Sequence, residues 1–146
     1  MNLLKHQSIQ FIIMIIVGVL FNPMNVLAYR LSDLYLSLTL FYGGVLMASN
    51  MIWAHEIVHL LAHGKCNWIV FSIGVLMSVG VTIFLLRKQF MVNDREWLKR
   101  MISHHSTALT TSHKIVERTE NEKVRRLAED IIDTQEREIK LMKSLL

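Results

Sequence analysis

The sequence predicts an all-α fold in which three transmembrane helices precede an antiparallel helical hairpin. Apolar segments long enough to cross a bilayer occupy most of residues 1–90, and apolar positions at helical spacing recur through residues 93–146. Charge is divided in the same way, because 21 of the 28 Lys, Arg, Asp and Glu residues follow Met91. We therefore expect a membrane region over 1–90 and a helical hairpin over 93–146.

The first apolar segment covers residues 9–28, close to the ~20 residues that a membrane-spanning helix requires. Lys5 before it and Val26-Leu27-Ala28 at its end also fit a cleavable signal peptide. We favour an uncleaved span because the length of the segment suits a complete crossing. N-terminal sequencing of the mature protein distinguishes the two possibilities.

A second span is predicted over 34–54, with helical phase that continues to residue 63, where Gly64 suits a C-cap. A third span is predicted over 68–86 and is closed by two basic residues. With three spans, the basic residues near the membrane are more numerous on the side of the C-terminal part. The three spans predict an integral, multi-pass membrane protein, and the positive-inside rule then favours a cytoplasmic hairpin.

Two amphipathic helices are predicted in the hairpin. Asn93 with Glu96, and Thr119 with Glu122, have the spacing of capping boxes, which predicts where each helix begins. The first helix should end near Arg118. Because the connection is short, the helices should be antiparallel neighbours, and residues whose numbers sum to about 239 should lie at the same level.

A candidate metal site lies on the first hairpin helix. Met101, His104 and His105 are spaced so that all three side chains can point to one face of the helix. Gln135 and Glu138 are predicted to lie level with them on the second helix, where they could orient the imidazoles from a second shell around the metal. Thioether and imidazole donors suit copper better than magnesium, calcium or zinc. The alternative is that the histidines only satisfy polar groups in the hairpin core.

The hairpin sequence resembles a known family. Met101-Ile-Ser-His-His-Ser-Thr-Ala108, followed by Leu127-Ala-Glu-Asp-Ile-Ile-Asp-Thr-Gln-Glu-Arg-Glu-Ile-Lys-Leu-Met142, is similar to the pattern of the domain-of-unknown-function family 305. That pattern is Met-Ile-Pro-His-His-x-x-Ala and then a Leu-Ala-x-x-Ile-Ile-x-x-Gln-x-x-Glu-Ile-x-x-Met helix. Ser103 stands here in place of the family proline, and Thr111 in place of a methionine of many relatives.

The resemblance implies a ferritin-like helical bundle, of which this hairpin would be one half. By analogy with CopM-like copper-binding relatives, it also implies copper ligation by Met101, His104, His105 and Met142. Relatives often have four bundle helices in one chain, whereas this chain has two. We therefore expect two chains to pair through the hairpin as a homodimer, because a lone hairpin buries only one side of each helix.

A second motif lies near the end of the second span. His55-Glu56-Ile-Val-His59 fits the zinc-protease string His-Glu-x-x-His, but His63 lies a further turn along the helix and residues 68–86 hold no acidic third ligand. We interpret the string as a chance match and expect no enzyme activity.

Five residues at four-residue intervals are secondary metal candidates, with packing between spans as the alternative: Met47, Met51, His55, His59 and His63.

Composition narrows the function further. The net charge is +4, but charge in the hairpin is almost balanced and no basic stripe is present, so we expect no nucleic-acid partner. The apolar segments make the lipid bilayer the expected partner. The single cysteine, Cys66, cannot form an intrachain disulfide. Three function classes follow: membrane-tethered copper binding for sequestration or tolerance, a structural or oligomerising membrane module without metal, and, most remotely, a membrane metalloprotease.

Overall fold

The structure is a computed structural model that describes residues 3–146, and within that range it is all-helical, with no strand. The all-α class is therefore confirmed. The helices are α1 (Leu3–Leu20), α2 (Pro23–Val26), α3 (Leu38–His63), α4 (Trp68–Gly80), α5 (Asp94–Val116) and α6 (Glu122–Ser144), with a 3-10 turn at Leu31–Asp33 and a π-helical continuation of α4 over Val81–Arg87.

The chain forms two compact units. One contains Leu38–Met91 and the residues up to Phe21, and the other contains Asn22–Ser37 and Val92–Leu146. We call Asn22–Ser37 the connector. The predicted division at residue 90 assigned the connector to the membrane region, whereas in the structure it packs with the hairpin.

In the part of the chain that the structure describes, three stretches are long and apolar enough to cross a membrane: Gln7–Val26, Leu38–His63 and Trp68–Arg87. The second starts at Leu38 rather than at residue 34, because residues 34–37 belong to the connector and are not helical. At its other end, Gly64 has φ of 67° and its N–H donates to the carbonyl of Leu60 at 2.8 Å. This left-handed residue confirms the predicted C-cap of α3.

Glycines allow close contact between the helices of the first unit. A Cβ on Gly44 would lie 2.8 Å from Val19 Cγ2 and 2.9 Å from the carbonyl oxygen of Ile15, so α1 crosses α3 at a point that only glycine permits. Gly74 allows the same approach of α4 to α3, since its Cβ would lie 2.9 Å from the amide nitrogen of Trp53. Small residues at such crossings are typical of helices packed in membranes.

The hairpin helices begin where side-chain caps satisfy their first amides. Asn93 Oδ1 accepts from the amide of Glu96 at 3.0 Å, which confirms the predicted start of α5. The prediction that Thr119 caps α6 is wrong. The cap is Asn121, whose side chain accepts a hydrogen bond from the amide of Lys123 at 3.0 Å. Thr119 Oγ1 instead accepts from the amide of Asn121 at 3.2 Å and so tightens the turn between the helices.

The core of the hairpin lies between α5 and α6. It is built from buried apolar residues of both helices: Leu98, Ile102, Leu109, Ile139 and Met142. Tyr35, from the connector, packs against this core together with Met101 and Ile132. The connector is therefore part of the hairpin fold rather than a free loop.

Hydroxyl groups of α5 hold the connector in place. Ser103 Oγ donates to the carbonyl of Asp33 at 3.0 Å and accepts from the amide of Tyr35 at 3.3 Å. Ser106 Oγ accepts from the amide of Tyr29 at 2.9 Å. These bonds supply partners to backbone groups in and around the non-helical segments of the connector, which no regular secondary structure would otherwise satisfy.

The side chain of Asp33 joins all three parts of the hairpin unit. Asp33 is fully buried, with 0% of its surface exposed. Its Oδ1 pairs with Lys143 Nζ of α6 at 2.5 Å, and its Oδ2 accepts from Ser106 Oγ of α5 at 2.7 Å. The buried charge is thus both paired and hydrogen-bonded, as burial of a carboxylate requires.

Candidate functional site

A cavity of about 360 Å³ lies between α5 and α6, and we call it the hairpin cavity. Its wall combines apolar side chains with sulfur, imidazole and carboxylate groups: Trp97, Leu98, Met101, His105, Glu138, Leu141, Met142 and Leu145. Helical periodicity explains the set. Residues four apart share a helix face, which aligns Met101 with His105 on α5 and Glu138 with Met142 on α6.

Both ring nitrogens of His105 have partners. Nδ1 lies 2.7 Å from the carbonyl oxygen of Met101, which can only accept, so Nδ1 carries a proton and donates. Nε2 lies 2.8 Å from Glu138 Oε2. The first bond fixes the orientation of the ring, and the second joins Nε2 to the carboxylate of Glu138, which also lines the hairpin cavity.

His104 and Gln135 have a different placement. His104 is exposed, and within the part of the chain that the structure describes, neither residue lines the hairpin cavity. The ring centroids of His104 and His105 are 5.8 Å apart. Desolvation lowers the pKa of His104, and the positive charges of His105 and Arg100 lower it further. His104 is therefore a neutral imidazole beside the cavity rather than inside it.

The donor set in the hairpin cavity is soft to borderline. Met101 and Met142 offer thioether sulfurs, His105 offers an imidazole nitrogen, and Glu138 offers carboxylate oxygens. Thioethers select Cu(I), and imidazole suits copper and zinc alike. Among the side chains that the structure describes, which are those of Lys5 and residues 7–146, no three His, Cys, Asp or Glu residues already form a group that could hold a metal ion. Any site here depends on the two methionines.

The secondary metal candidates lie along α3. Met47 and Met51 are partly exposed, at 40% and 39%. His55 and His59 line a cavity of about 680 Å³ that also contains Glu56 and Cys66. In the described part of the chain, His63 does not line this cavity, although its ring centroid lies 4.7 Å from that of His59.

The residues that hold the connector do not stand out in the sequence. From the sequence, Asp33 is expected to be a charged residue that flanks a span, and Ser103 and Ser106 are expected to lie on a polar helix face. One feature of the sequence does indicate the contact. The side of α5 away from its apolar stripe has small hydroxyl residues, where a solvated helix face usually has charged residues. That composition is typical of a face covered by backbone.

Comparison with known proteins places the chain among relatives of undefined activity. Residues 85–146, which include both hairpin helices, match a family model described as "Domain of unknown function (DUF305)". The chain is 33% identical over 126 residues to "Uncharacterized protein L153" of Acanthamoeba polyphaga mimivirus, an alignment that covers 86% of this chain and 81% of the viral protein. No solved structure matches the chain with statistical significance.

Proposed function

Since this chain belongs to the DUF305 family, whose description leaves its function open, we propose a function from the geometry of its own hairpin. The protein is a multi-pass membrane protein that binds copper between α5 and α6, for sequestration or tolerance. The observation that carries the proposal is the convergence of Met101, His105 and Met142 on one cavity, with the ring of His105 fixed by a backbone hydrogen bond.

Exposed apolar surface supports insertion into a membrane. Many apolar side chains of α1 and α4 are more than half exposed, for example Ile12 at 56%, Ile69 at 73% and Leu76 at 70%. Soluble proteins rarely expose contiguous apolar surface of this extent. Lipid is the solvent that suits it, and each helix satisfies its own backbone groups as a bilayer requires.

The composition of the two compact units supports three crossings. The connector precedes α3 and the hairpin follows α4, so two spans separate these stretches along the chain. Two crossings return the chain to the side from which it left, and the connector and the hairpin form one unit. The excess of basic residues on that side favours the cytoplasm as its compartment.

The groups in the hairpin cavity fit Cu(I). Metal-ligating histidines usually donate their other ring N–H to a carbonyl or carboxylate, and Nδ1 of His105 already donates to Met101 O at 2.7 Å. Bound copper would supply a soft cation that Met101, Met142 and His105 Nε2 hold. Ligation would use the lone pair of His105 Nε2, so any proton held between Nε2 and Glu138 would be released. Glu138 would then supply a negative charge near the cation.

Copper binding is tested by titrating the full chain in mild detergent with Cu(I) in competition with a chromophoric chelator. All variants carry Cys66→Ser, so that the only thiol does not contribute. We expect His105→Ala, Met101→Leu and Met142→Leu each to weaken binding, and Glu138→Gln to weaken it by about 10- to 100-fold. His104→Ala is the matched control, and it should leave the affinity unchanged.

The structural alternative is distinguished by the same titration. If the parent chain and all five variants, the His104→Ala control included, bind Cu(I) equally weakly, the hairpin is a structural or oligomerising module without metal. If His104→Ala weakens binding as much as His105→Ala does, the exposed imidazole is a ligand, as the family resemblance implies.

A homodimer and a ferritin-like four-helix bundle remain part of the proposal. The connector occupies part of the α5 face that the sequence analysis left for a partner, so pairing has to use other surface. Trp97, Leu141 and Leu145 are more than half exposed beside the hairpin cavity and offer an apolar contact. Sedimentation of the detergent-solubilised chain at micromolar concentration should give the mass of two chains, and the mass of one chain would contradict it.

A further inference from the structure

The loop between α3 and α4, residues 64–67, folds back against α3. His59 Nδ1 lies 3.0 Å from the carbonyl oxygen of Lys65, so this nitrogen donates. Glu56 Oε2 accepts from the amide of Asn67 at 2.8 Å. The residues on both sides of Cys66 are therefore bonded to side chains of α3, which holds Cys66 beside Glu56 and His59.

These residues surround one cavity within the first unit, which we call the loop cavity. It has a volume of about 680 Å³, and its wall includes His55, Glu56, His59 and Cys66. The ring centroids of His55 and His59 are 6.4 Å apart, because the two residues are one helical turn apart on the same face. One thiol and two imidazoles therefore face a common space.

We propose that the loop cavity binds a thiophilic transition-metal ion of the Zn²⁺ class through Cys66, His55 and His59. Cysteine and histidine are the commonest zinc ligands, and three of them leave a fourth position for water. The sequence string His-Glu-x-x-His has no third ligand within its own helix or in the following span. The fold supplies one from the loop that joins them. This site is independent of copper binding in the hairpin.

Hydrogen bonding prepares His59 for ligation. Because its Nδ1 donates to a backbone carbonyl, the neutral ring presents the lone pair of Nε2. The same arrangement orients histidine ligands in characterised metal sites. His63, one turn further along α3, has no such bond among those the structure describes and does not line the cavity.

Charge in the loop cavity favours a cation. Glu56 is buried, at 8% exposure, although its carboxylate has no charged partner among the ion pairs of the described residues. A dication in the loop cavity would lie next to this carboxylate and would offset the cost of its buried charge.

Binding requires a small rearrangement. The ligands lie around the wall of the loop cavity, and among the described side chains, His6 not being one of them, no three His, Cys, Asp or Glu residues are yet close enough together to hold a metal ion. The volume of the cavity leaves room for Cys66 and His55 to change rotamer. His59 and the loop backbone stay where their hydrogen bonds hold them.

Co²⁺ is the probe that tests the site, because a thiolate bound to Co²⁺ gives an intense near-ultraviolet charge-transfer band. The chain contains one cysteine, so any such band in the full chain in detergent arises at Cys66. We expect the band on titration with Co²⁺, its loss on addition of Zn²⁺, and its absence in Cys66→Ser. No band with the reduced thiol would overturn the proposal.

Histidine variants show whether the site is the one proposed. His55→Ala and His59→Ala should each raise the Co²⁺ concentration at half-saturation by tenfold or more, on the order of the effect of a lost supporting group. His63→Ala is the matched control on the same helix and His105→Ala the control for the hairpin, and both should leave the titration unchanged. His59→Gln keeps a donor for Lys65 O, so loss of Co²⁺ binding with unchanged helical circular dichroism separates ligation from folding. A band that survives both alanine changes would contradict the proposal.

Discussion

Asp33 is bonded through one carboxylate oxygen to Lys143 and through the other to Ser106. Its position between the connector, α5 and α6 makes it the point at which three segments distant in sequence meet. The desolvation of a fully buried carboxylate is costly, so the pair adds stability only while both partners are present. Loss of either partner should therefore have a larger effect than loss of a surface ion pair.

Lys143→Met should destabilise the hairpin unit by about 3 kcal/mol, because it leaves the buried charge of Asp33 without its partner. The value is at the low end for buried pairs because Lys143 is partly exposed, at 31%. Thermal unfolding of the full chain, followed by circular dichroism, measures the change. Lys140→Met, at an exposed position of the same helix, should cost less than about 0.5 kcal/mol. Equal effects of the two changes would contradict the buried-pair account.

The imidazole of His104 should titrate below its ordinary range. Arg100→Gln should raise the pKa of His104 by removing one positive charge, although desolvation, the largest cause, remains. Because its folded pKa is lowered, the contribution of His104 to stability is fully present above its unfolded pKa and is lost as pH falls from that value through the folded pKa. Titration of the ring by nuclear magnetic resonance measures the shift. Lys123→Gln, far along the chain on α6, is the control and should leave it unchanged.

The choice between the two adjacent histidines could not be made from spacing. On an ideal helix His105 lies 40° from Met101 in one direction and His104 lies 60° away in the other, so either fits one face with the methionine. The structure separates them through partners: His105 bonds to Glu138 of α6, whereas His104 is exposed. Such partners depend on how far α5 is rotated about its own axis relative to α6. Sequence periodicity fixes that angle only to within tens of degrees.

At the scale of elements, α5 serves two surfaces. Its apolar stripe packs on α6, and its hydroxyl face binds the connector through Ser103, Ser106 and Thr107. The N-cap of α5 at Asn93 was predictable, and so was the C-cap of α3 at Gly64. Caps are local and depend on residues within one helical turn. The docking of the connector was not, since side-chain bonds to a distant extended backbone leave no period in the sequence.

Ser103→Ala should destabilise the hairpin unit by about 1–3 kcal/mol, because the amide of Tyr35 and the carbonyl of Asp33 lose a buried partner. Thr111→Ala is the matched control: its exposed hydroxyl bonds only to carbonyls of its own helix. Hydrogen exchange of the full chain measures protection at the amide of Tyr35. Protection there that is the same in both variants would show that Ser103 does not hold the connector.

The contact of α1 with α3 gives a second comparison between neighbouring residues. Gly44→Leu should disrupt the first unit, because its Cβ would already lie 2.8 Å from Val19 Cγ2. Gly43→Leu should be tolerated, since nothing lies within 4 Å of the equivalent Cβ. Resistance to proteolysis and the melting temperature in detergent measure the difference. If the two variants behave alike, α1 does not cross α3 at this glycine.

At the scale of the whole molecule, the connector and the hairpin belong to one compact unit, and α1, α3 and α4 contribute to the other. The apolar segments were predictable because a run of apolar side chains as long as a bilayer is thick is typical of a membrane-spanning helix. The grouping of residues 22–37 with the C-terminal part was not, since it depends on Asp33 and the hydroxyls of α5. The same grouping supports an even number of crossings between the two stretches.

The three crossings that we propose would place the loop after α3 and the turn after α5 on opposite faces of the membrane, and single cysteines test this directly. In a Cys66→Ser background, Ala62→Cys introduces an exposed thiol in the last turn of α3, directly before that loop, and Glu120→Cys introduces one in the turn after α5. Neither change adds or removes a basic residue. In sealed, right-side-out vesicles, a membrane-impermeant maleimide should label Ala62→Cys and leave Glu120→Cys unlabelled until detergent is added, as a cytoplasmic hairpin requires. The reverse pattern would keep three crossings and invert the sidedness. Labelling of both thiols in sealed vesicles would rule out three crossings.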